Sequence, residues 1–96
     1  MINIVAKITP KTALFAECKR KLQAIVAPTL AEAGCIRFEL YTGDNQTCLF
    51  LVERFVSQQA LDEHYQQAYT KQVFTFYESA LAKAVEINNL AEIWKI

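Results

Sequence analysis

The sequence is poor in glycine and proline and carries no net charge. Its 96 residues include two glycines and two prolines, and the formal net charge at pH 7 is zero. Two glycines are too few for a glycine-rich phosphate-binding loop, which excludes the common nucleotide-binding motifs. Lysine and arginine form no run interleaved with aromatic residues, so the electrostatic pattern of a nucleic-acid-binding protein is missing. We therefore predict no nucleic-acid partner.

Features of metal sites and membrane proteins are also scarce. A single histidine cannot form a two-histidine metal site within one chain, so we predict no metal. The three cysteines form no CxxC pair and no signal peptide is visible, which favours a reducing, cytoplasmic location. The longest apolar run, residues 48–52, is far shorter than the ~20 residues of a membrane span. We expect a cytoplasmic protein without membrane contact.

Apolar residues, in contrast, make up 53% of the chain. A chain of this length forms one domain, residues 1–96, and buries only ~60–65% of the surface that it exposes when unfolded. The apolar content is high for so small a core. We therefore expect part of it to lie in a subunit interface.

The spacing of the apolar residues predicts the order β-α-β-β-α-α-β. Apolar and polar residues alternate along 2–8 and 35–42, as in half-buried strands. Along 12–32 they recur at steps of three and four, as in an amphipathic helix. The remaining predicted elements are a turn at 43–46, a strand at 47–56, helices at 58–67 and 68–83, and a strand at 90–96.

Four residues mark where we expect helices to begin and end. Thr12 and Ser57 are suitable N-caps for the first and second helices. Pro28 should kink the first helix or restart its last turn, because it cannot donate a backbone hydrogen bond. Gly34 should end that helix in the left-handed conformation.

This order is that of an α+β fold with the ferredoxin-like split βαβ arrangement, an antiparallel sheet with helices on one face. The predicted strand at 47–56 is apolar on both of its alternating sets, which are Leu49, Leu51 and Phe55, and Phe50, Val52 and Val56. One face should therefore meet the helices and the other should meet a second copy of the sheet. We expect a homodimer.

His64 and Glu53 are the ionisable residues that we consider for chemistry. Leu61 and Ala68 lie three before and four after His64, so its ring should lean towards the apolar side of the helix. There it could exchange a proton with a ligand, or it could make a structural hydrogen bond. Glu53 lies on an otherwise apolar strand and needs a partner. Pairing with Arg37 would make it structural, whereas pairing with His64 would orient the imidazole.

Aromatic residues cluster in the two later helices. They include Tyr65, Tyr69, Phe74 and Tyr77. Together they predict an aromatic wall whose phenol groups could orient a planar, oxygen-bearing ligand. The alternative is ordinary core packing between the helices and the sheet.

Three segments resemble the antibiotic biosynthesis monooxygenase (ABM) domain family. Residues 32–40 read EAGCIRFEL, residues 52–55 read VERF and residues 61–64 read LDEH. The family commonly shows E-x-G-C-x-x-[YF]-x-[LV], an E-x-W strand end and an L-x-x-H helix, in this order. The resemblance implies a dimeric α+β barrel in which two ferredoxin-like sheets face each other. It also implies a pocket between each sheet and its helices.

The resemblance further implies a class of activity. Family activities include oxygenation of quinols or polyphenols without a metal or organic cofactor, haem degradation, and processing of a phosphorylated autoinducer-2 signal. We therefore expect a cofactor-independent monooxygenase that oxidises a small phenolic or quinol compound with dioxygen. His64 would be the general base and Glu53 would orient it. The expected substrate contacts are Tyr65, Tyr69, Tyr77 and Phe74.

The sequence departs from the family at several positions. Tyr69 stands where quinol-oxygenating and autoinducer-processing members have a second histidine, and Phe55 replaces the tryptophan of the strand end. The Asn, Trp and His of haem-degrading members correspond to Ala6, His64 and Phe74, which disfavours haem. Two alternatives remain. One is a non-catalytic metabolite-binding or stress-response module, and the other is an isomerase of a small signal metabolite.

Overall fold

The computed structural model describes residues 1–93. Its strands are β1 (Ile2–Ile8), β2 (Cys35–Thr42), β3 (Leu49–Phe55) and β4 (Glu86–Leu90). Its helices are α1 (Phe15–Leu30), α2 (Gln58–Gln66) and α3 (Ala68–Ala80), with a 3-10 turn at Thr12–Leu14. The strands form one antiparallel sheet in the order β2-β3-β1-β4. This confirms the predicted α+β fold with its split βαβ order.

Alternate residues of the two central strands form the core beneath the helices. The buried members are Ile4, Ala6 and Ile8 of β1, and Leu49, Leu51 and Phe55 of β3. Cys18 and Leu22 of α1 pack against them and are fully buried. Glu53 belongs to the same alternating set of β3, so its side chain points towards the helices.

The opposite face of the sheet, which we call the open face, mixes apolar and charged residues. One cross-strand row contains Glu39, Val52, Val5 and Asn88. The next row places Tyr41 beside Phe50. On β3 itself this face is largely apolar, as predicted. Polar residues of the neighbouring strands lie in the same rows, so the open face of the whole sheet is mixed.

The ends of α1 differ from the prediction. Thr12 lies in the 3-10 turn, and neither it nor any other side chain caps α1. Pro28 lies inside the last turn of α1, which continues to Leu30 and ends at Ala31. Neither glycine has a positive φ, so the prediction of a left-handed Gly34 is wrong. Gly34 is needed for space instead, because a Cβ there would overlap the Cβ of Ala60 on α2.

Other boundaries follow local hydrogen bonds. β3 begins at Leu49 because the hairpin turn extends through Thr47, whose backbone N–H donates to Asn45 Oδ1 over 3.2 Å. Ser57 caps α2 as predicted, since its Oγ accepts from the N–H of Ala60 at 3.1 Å.

The end of the chain differs most from the prediction. Helix α3 ends at Ala80, before the predicted boundary at residue 83. The closing strand is β4 at Glu86–Leu90, whereas the prediction was 90–96, of which 94–96 lie outside the described residues. All five β4 residues are exposed, so the strand lacks the apolar alternation that would identify it.

Candidate functional site

Helix α2 holds His64 between the helices and the sheet. Leu61 and His64 are on its buried side, and His64 is only 3% exposed. The imidazole packs against two aromatic rings of the sheet, with ring centroids 5.6 Å from Phe38 and 5.1 Å from Phe55. Because the ring is enclosed in this way, packing fixes its orientation.

On one side the imidazole belongs to a group of three polar side chains, Glu32, His64 and Tyr69, which we call the Glu32 cluster. Nδ1 of His64 is 2.9 Å from Oε2 of Glu32. The hydroxyl of Tyr69 donates to the same oxygen and lies 3.3 Å from the carbonyl oxygen of Pro28. Burial and the hydrogen bond to Glu32 raise the pKa of Tyr69 to about 12, so the phenol keeps its proton.

On its other side the imidazole lines a cavity of about 40 Å³ between the sheet and helices α2 and α3. A cavity of this size holds about two or three water molecules. The wall is aliphatic apart from its polar and aromatic residues, which are Phe38, Glu53, His64, Tyr65, Thr70, Phe74 and Tyr77. Phe74 is 44% exposed, so it lies where the cavity approaches the surface.

Glu53 is the second ionisable residue in the cavity wall. It is 8% exposed, and its direct neighbours on the adjacent strands are the apolar residues Ile4 and Phe38. No described residue, within 1–93, gives its carboxyl a hydrogen bond or an ion pair. Burial therefore raises its pKa to about 7.

Neither of the two partners considered for Glu53 from the sequence forms a hydrogen bond or an ion pair with it among residues 1–93. Arg37 lies on the open face, where it pairs with Glu39 at 2.8 Å. His64 directs Nδ1 at Glu32, and no hydrogen bond joins its imidazole to Glu53 among residues 1–93. Glu53 instead shares the cavity with His64.

The structure separates the predicted site residues into two groups. His64, Glu53, Tyr65, Tyr77 and Phe74 share the cavity wall. The ring of Phe74 lies 5.7 Å from that of Tyr65 and 5.9 Å from that of Tyr77, so these three form one aromatic wall. Burial raises the pKa of both tyrosines, so they keep their protons.

Tyr69, in contrast, does not line the cavity and lies in the Glu32 cluster on the other side of the imidazole. Sequence reasoning missed Glu32 as a site residue. Its only signal was its place as the first residue of the EAGC segment, and nothing there indicated that it reaches a histidine 32 positions later.

The part of the chain that the structure describes contains neither a candidate metal site nor a candidate membrane-spanning helix. Between residues 1 and 93, no three His, Cys, Asp or Glu side chains are grouped so that they could hold a metal ion. No helix in that range has the length and apolar character needed to cross a membrane.

The fold and the site together define a small α+β protein with a cavity between its sheet and helices that is lined by a histidine and a glutamate. Nδ1 of His64 is engaged by Glu32, and Nε2 has no hydrogen-bond partner among residues 1–93. A ligand hydroxyl in the cavity could therefore give its proton to Nε2. The aromatic wall could hold the planar part of such a ligand.

Comparison with known proteins identifies the family. A model of the antibiotic biosynthesis monooxygenase (ABM) family matches residues 1–75. The chain therefore belongs to this family, as the sequence motifs predicted.

Individual relatives agree with this assignment. "Putative monooxygenase Rv0793" of Mycobacterium tuberculosis is 35% identical over 63 residues, which are 66% of this chain and 62% of the relative. The aligned stretch thus spans less than two thirds of that protein. Its solved structure superposes with a TM-score of 0.91 at 28% identity, covering 98% of this chain and 96% of the other. PA3566 from Pseudomonas aeruginosa gives a TM-score of 0.90 at 26% identity, with 97% and 94% covered.

Proposed function

We propose that this protein is a monooxygenase that oxidises a small phenolic or quinol compound with dioxygen and needs no metal or organic cofactor. The observation that carries the proposal is a cavity lined by His64, by an aromatic wall and by Glu53, whose carboxyl has no hydrogen-bond partner among residues 1–93. Membership of the ABM family and the monooxygenase name of the relative Rv0793 support it.

In the proposed reaction, Nε2 of His64 takes the proton of a substrate hydroxyl. The resulting anion lies in a largely apolar cavity, where it is poorly solvated and gives an electron to dioxygen more readily. One oxygen atom of dioxygen enters the ring and the other leaves as water. The quinol supplies all four electrons as it becomes a hydroxyquinone, so no further reductant is required.

Glu53 takes a different part in this proposal from the one that the sequence suggested. With a pKa of about 7, its carboxyl is available both to accept and to donate a hydrogen bond near neutral pH. It would bind a second polar group of the substrate. The cavity of about 40 Å³ must widen for a six-membered ring, and Phe74 is the most exposed aromatic residue in its wall.

The proposal is tested by oxygen uptake with a panel of hydroquinones. His64→Gln should reduce kcat by about 10²- to 10⁴-fold, because the general base is lost. The control is Glu63→Gln, which removes an exposed carboxylate from the same helix and should leave turnover unchanged. Undiminished uptake in His64→Gln would exclude His64 from the mechanism. If no quinol supports uptake yet phenols stabilise the protein on heating, the cavity binds metabolites without oxidising them.

We also propose that the active form is a homodimer that buries the open face of the sheet. Val5, Phe50 and Val52 lie half-buried on that face, with Tyr41 half-exposed beside them. Sedimentation of the intact chain should then give the mass of two chains. Val52→Glu should shift it to one chain, whereas Gln72→Glu, on the exposed side of α3, should not. A single-chain mass for the unchanged protein at all concentrations would contradict the dimer.

A further inference from the structure

We propose that Glu32 is a positioning residue that holds His64 as the tautomer with its proton on Nδ1 and its lone pair on Nε2, and that Tyr69 holds the Glu32 carboxylate in place. The assignment of the tautomer follows from the hydrogen bonds of the Glu32 cluster. Its importance for turnover rests on the proposed function.

The first step is the direction of the hydrogen bond between Tyr69 and Glu32. The pKa of Tyr69 is raised to about 12, so its hydroxyl carries a proton at neutral pH. An ionised carboxylate can only accept hydrogen bonds. Tyr69 is therefore the donor and Oε2 of Glu32 is the acceptor.

The second step is the state of Nδ1. It lies 2.9 Å from the same Oε2, an oxygen that already accepts from Tyr69 and that as a carboxylate oxygen accepts from Nδ1 as well. The hydrogen bond therefore requires a proton on Nδ1. A neutral imidazole then has its lone pair on Nε2, the nitrogen without a partner among the described residues. The opposite tautomer would break the bond to Glu32 and would present an N–H to the cavity.

The third step is the role of Tyr69. Its hydroxyl donates a hydrogen bond to Glu32. The same hydroxyl lies 3.3 Å from the carbonyl oxygen of Pro28, in the last turn of α1. Tyr69 thereby connects α3 to the end of α1 and holds the carboxylate in place beside α2. We infer that the tyrosine at this position does not contact the substrate, although the sequence motif suggested that it would.

The chain contains one histidine, which allows a direct test. In protein labelled with ¹⁵N-histidine, the two ring nitrogens belong to His64 alone, and their chemical shifts report which one carries the proton. We expect the Nδ1–H form in the unchanged protein above the pH at which the ring protonates. Glu32→Leu should lose the preference for the Nδ1–H form, because no side chain at this position then accepts from Nδ1. Tyr69→Phe should keep Nδ1–H, because Glu32 remains.

Oxygen uptake provides a second readout. Glu32→Gln should lower kcat by about 10- to 100-fold, the usual effect of losing a carboxylate that orients a functional histidine. The matched control is Glu63→Gln, which should change neither the spectrum nor the rate. An Nε2–H spectrum in the unchanged protein would overturn the proposal. This measurement does not depend on whether any variant folds. An unaltered tautomer preference in Glu32→Leu would also overturn the proposal. An Nδ1–H spectrum without any oxygen uptake would contradict only the proposed function.

Discussion

The two sides of the His64 ring differ in how their carboxylates are satisfied. On the side of the Glu32 cluster, Glu32 is bonded to both Tyr69 and His64, and its side chain is 13% exposed. On the side of the cavity, Glu53 is comparably buried and has no partner among residues 1–93. Buried polar groups are normally hydrogen-bonded, so the second arrangement is the unusual one.

This difference supports the proposal that the ligand binds on the cavity side of the ring and that the Glu32 cluster does not contact it. The Glu32 cluster uses its hydrogen bonds internally, so it can stabilise the packing of three helices and orient the imidazole. On the cavity side, Glu53 and Nε2 of His64 have no hydrogen-bond partner within residues 1–93. Unsatisfied, titratable groups in a buried cavity cost stability and are typical of sites that bind or react with a ligand.

Glu53→Gln should raise the free energy of unfolding, whereas Glu32→Gln should lower it. This contrast is the largest change in stability that we expect. Burial raises the pKa of Glu53 from 4.5 to about 7. Below pH 4.5 the carboxyl is protonated in both the folded and unfolded states. As the pH rises towards 7, only the unfolded state loses the proton, so the free energy of unfolding falls. Above pH 7 the full cost, about 3 kcal/mol, is present.

Glu53→Gln removes that cost. Urea unfolding at pH 8.5 should therefore show the variant to be more stable by about 2–3 kcal/mol, and at pH 5 by less than about 1 kcal/mol. Glu32→Gln should instead lose about 1–2 kcal/mol at pH 8.5, because charge-assisted hydrogen bonds are weakened. Stability of Glu53→Gln that is no higher at pH 8.5 than that of the unchanged protein would show that Glu53 has a partner in solution.

Much of the fold follows from local patterns in the sequence. β1 and β2 alternate cleanly, and both predicted strands agree with the structure at each end. Ser57 predicted the start of α2 because an N-cap acts within three residues. β4 could not be predicted in this way, because its residues are exposed and their pairing with β1 is what makes them a strand.

The site was less predictable because its contacts are distant in sequence and depend on register. Arg37 and Glu53 are on neighbouring strands, but the register pairs Arg37 with Arg54 and Phe38 with Glu53. A one-residue difference places the two side chains on opposite faces. Glu32 reaches His64 only because Gly34 lets α2 approach the start of β2 closely. No local pattern contains that contact.

The smallest change in stability that we expect is the difference between phenylalanine variants of Tyr69 and Tyr65. Tyr69→Phe should reduce the free energy of unfolding by about 1.5 kcal/mol, because Glu32 loses a hydrogen bond in a buried place. Tyr65→Phe is the matched control. Its hydroxyl has no hydrogen-bond partner among residues 1–93, so the change should be below about 0.5 kcal/mol. Urea unfolding of both variants at one protein concentration measures the difference. Equal losses would mean that the Tyr69 hydroxyl adds no stability, and the contrast between the two sides of His64 would then depend on Glu32 alone.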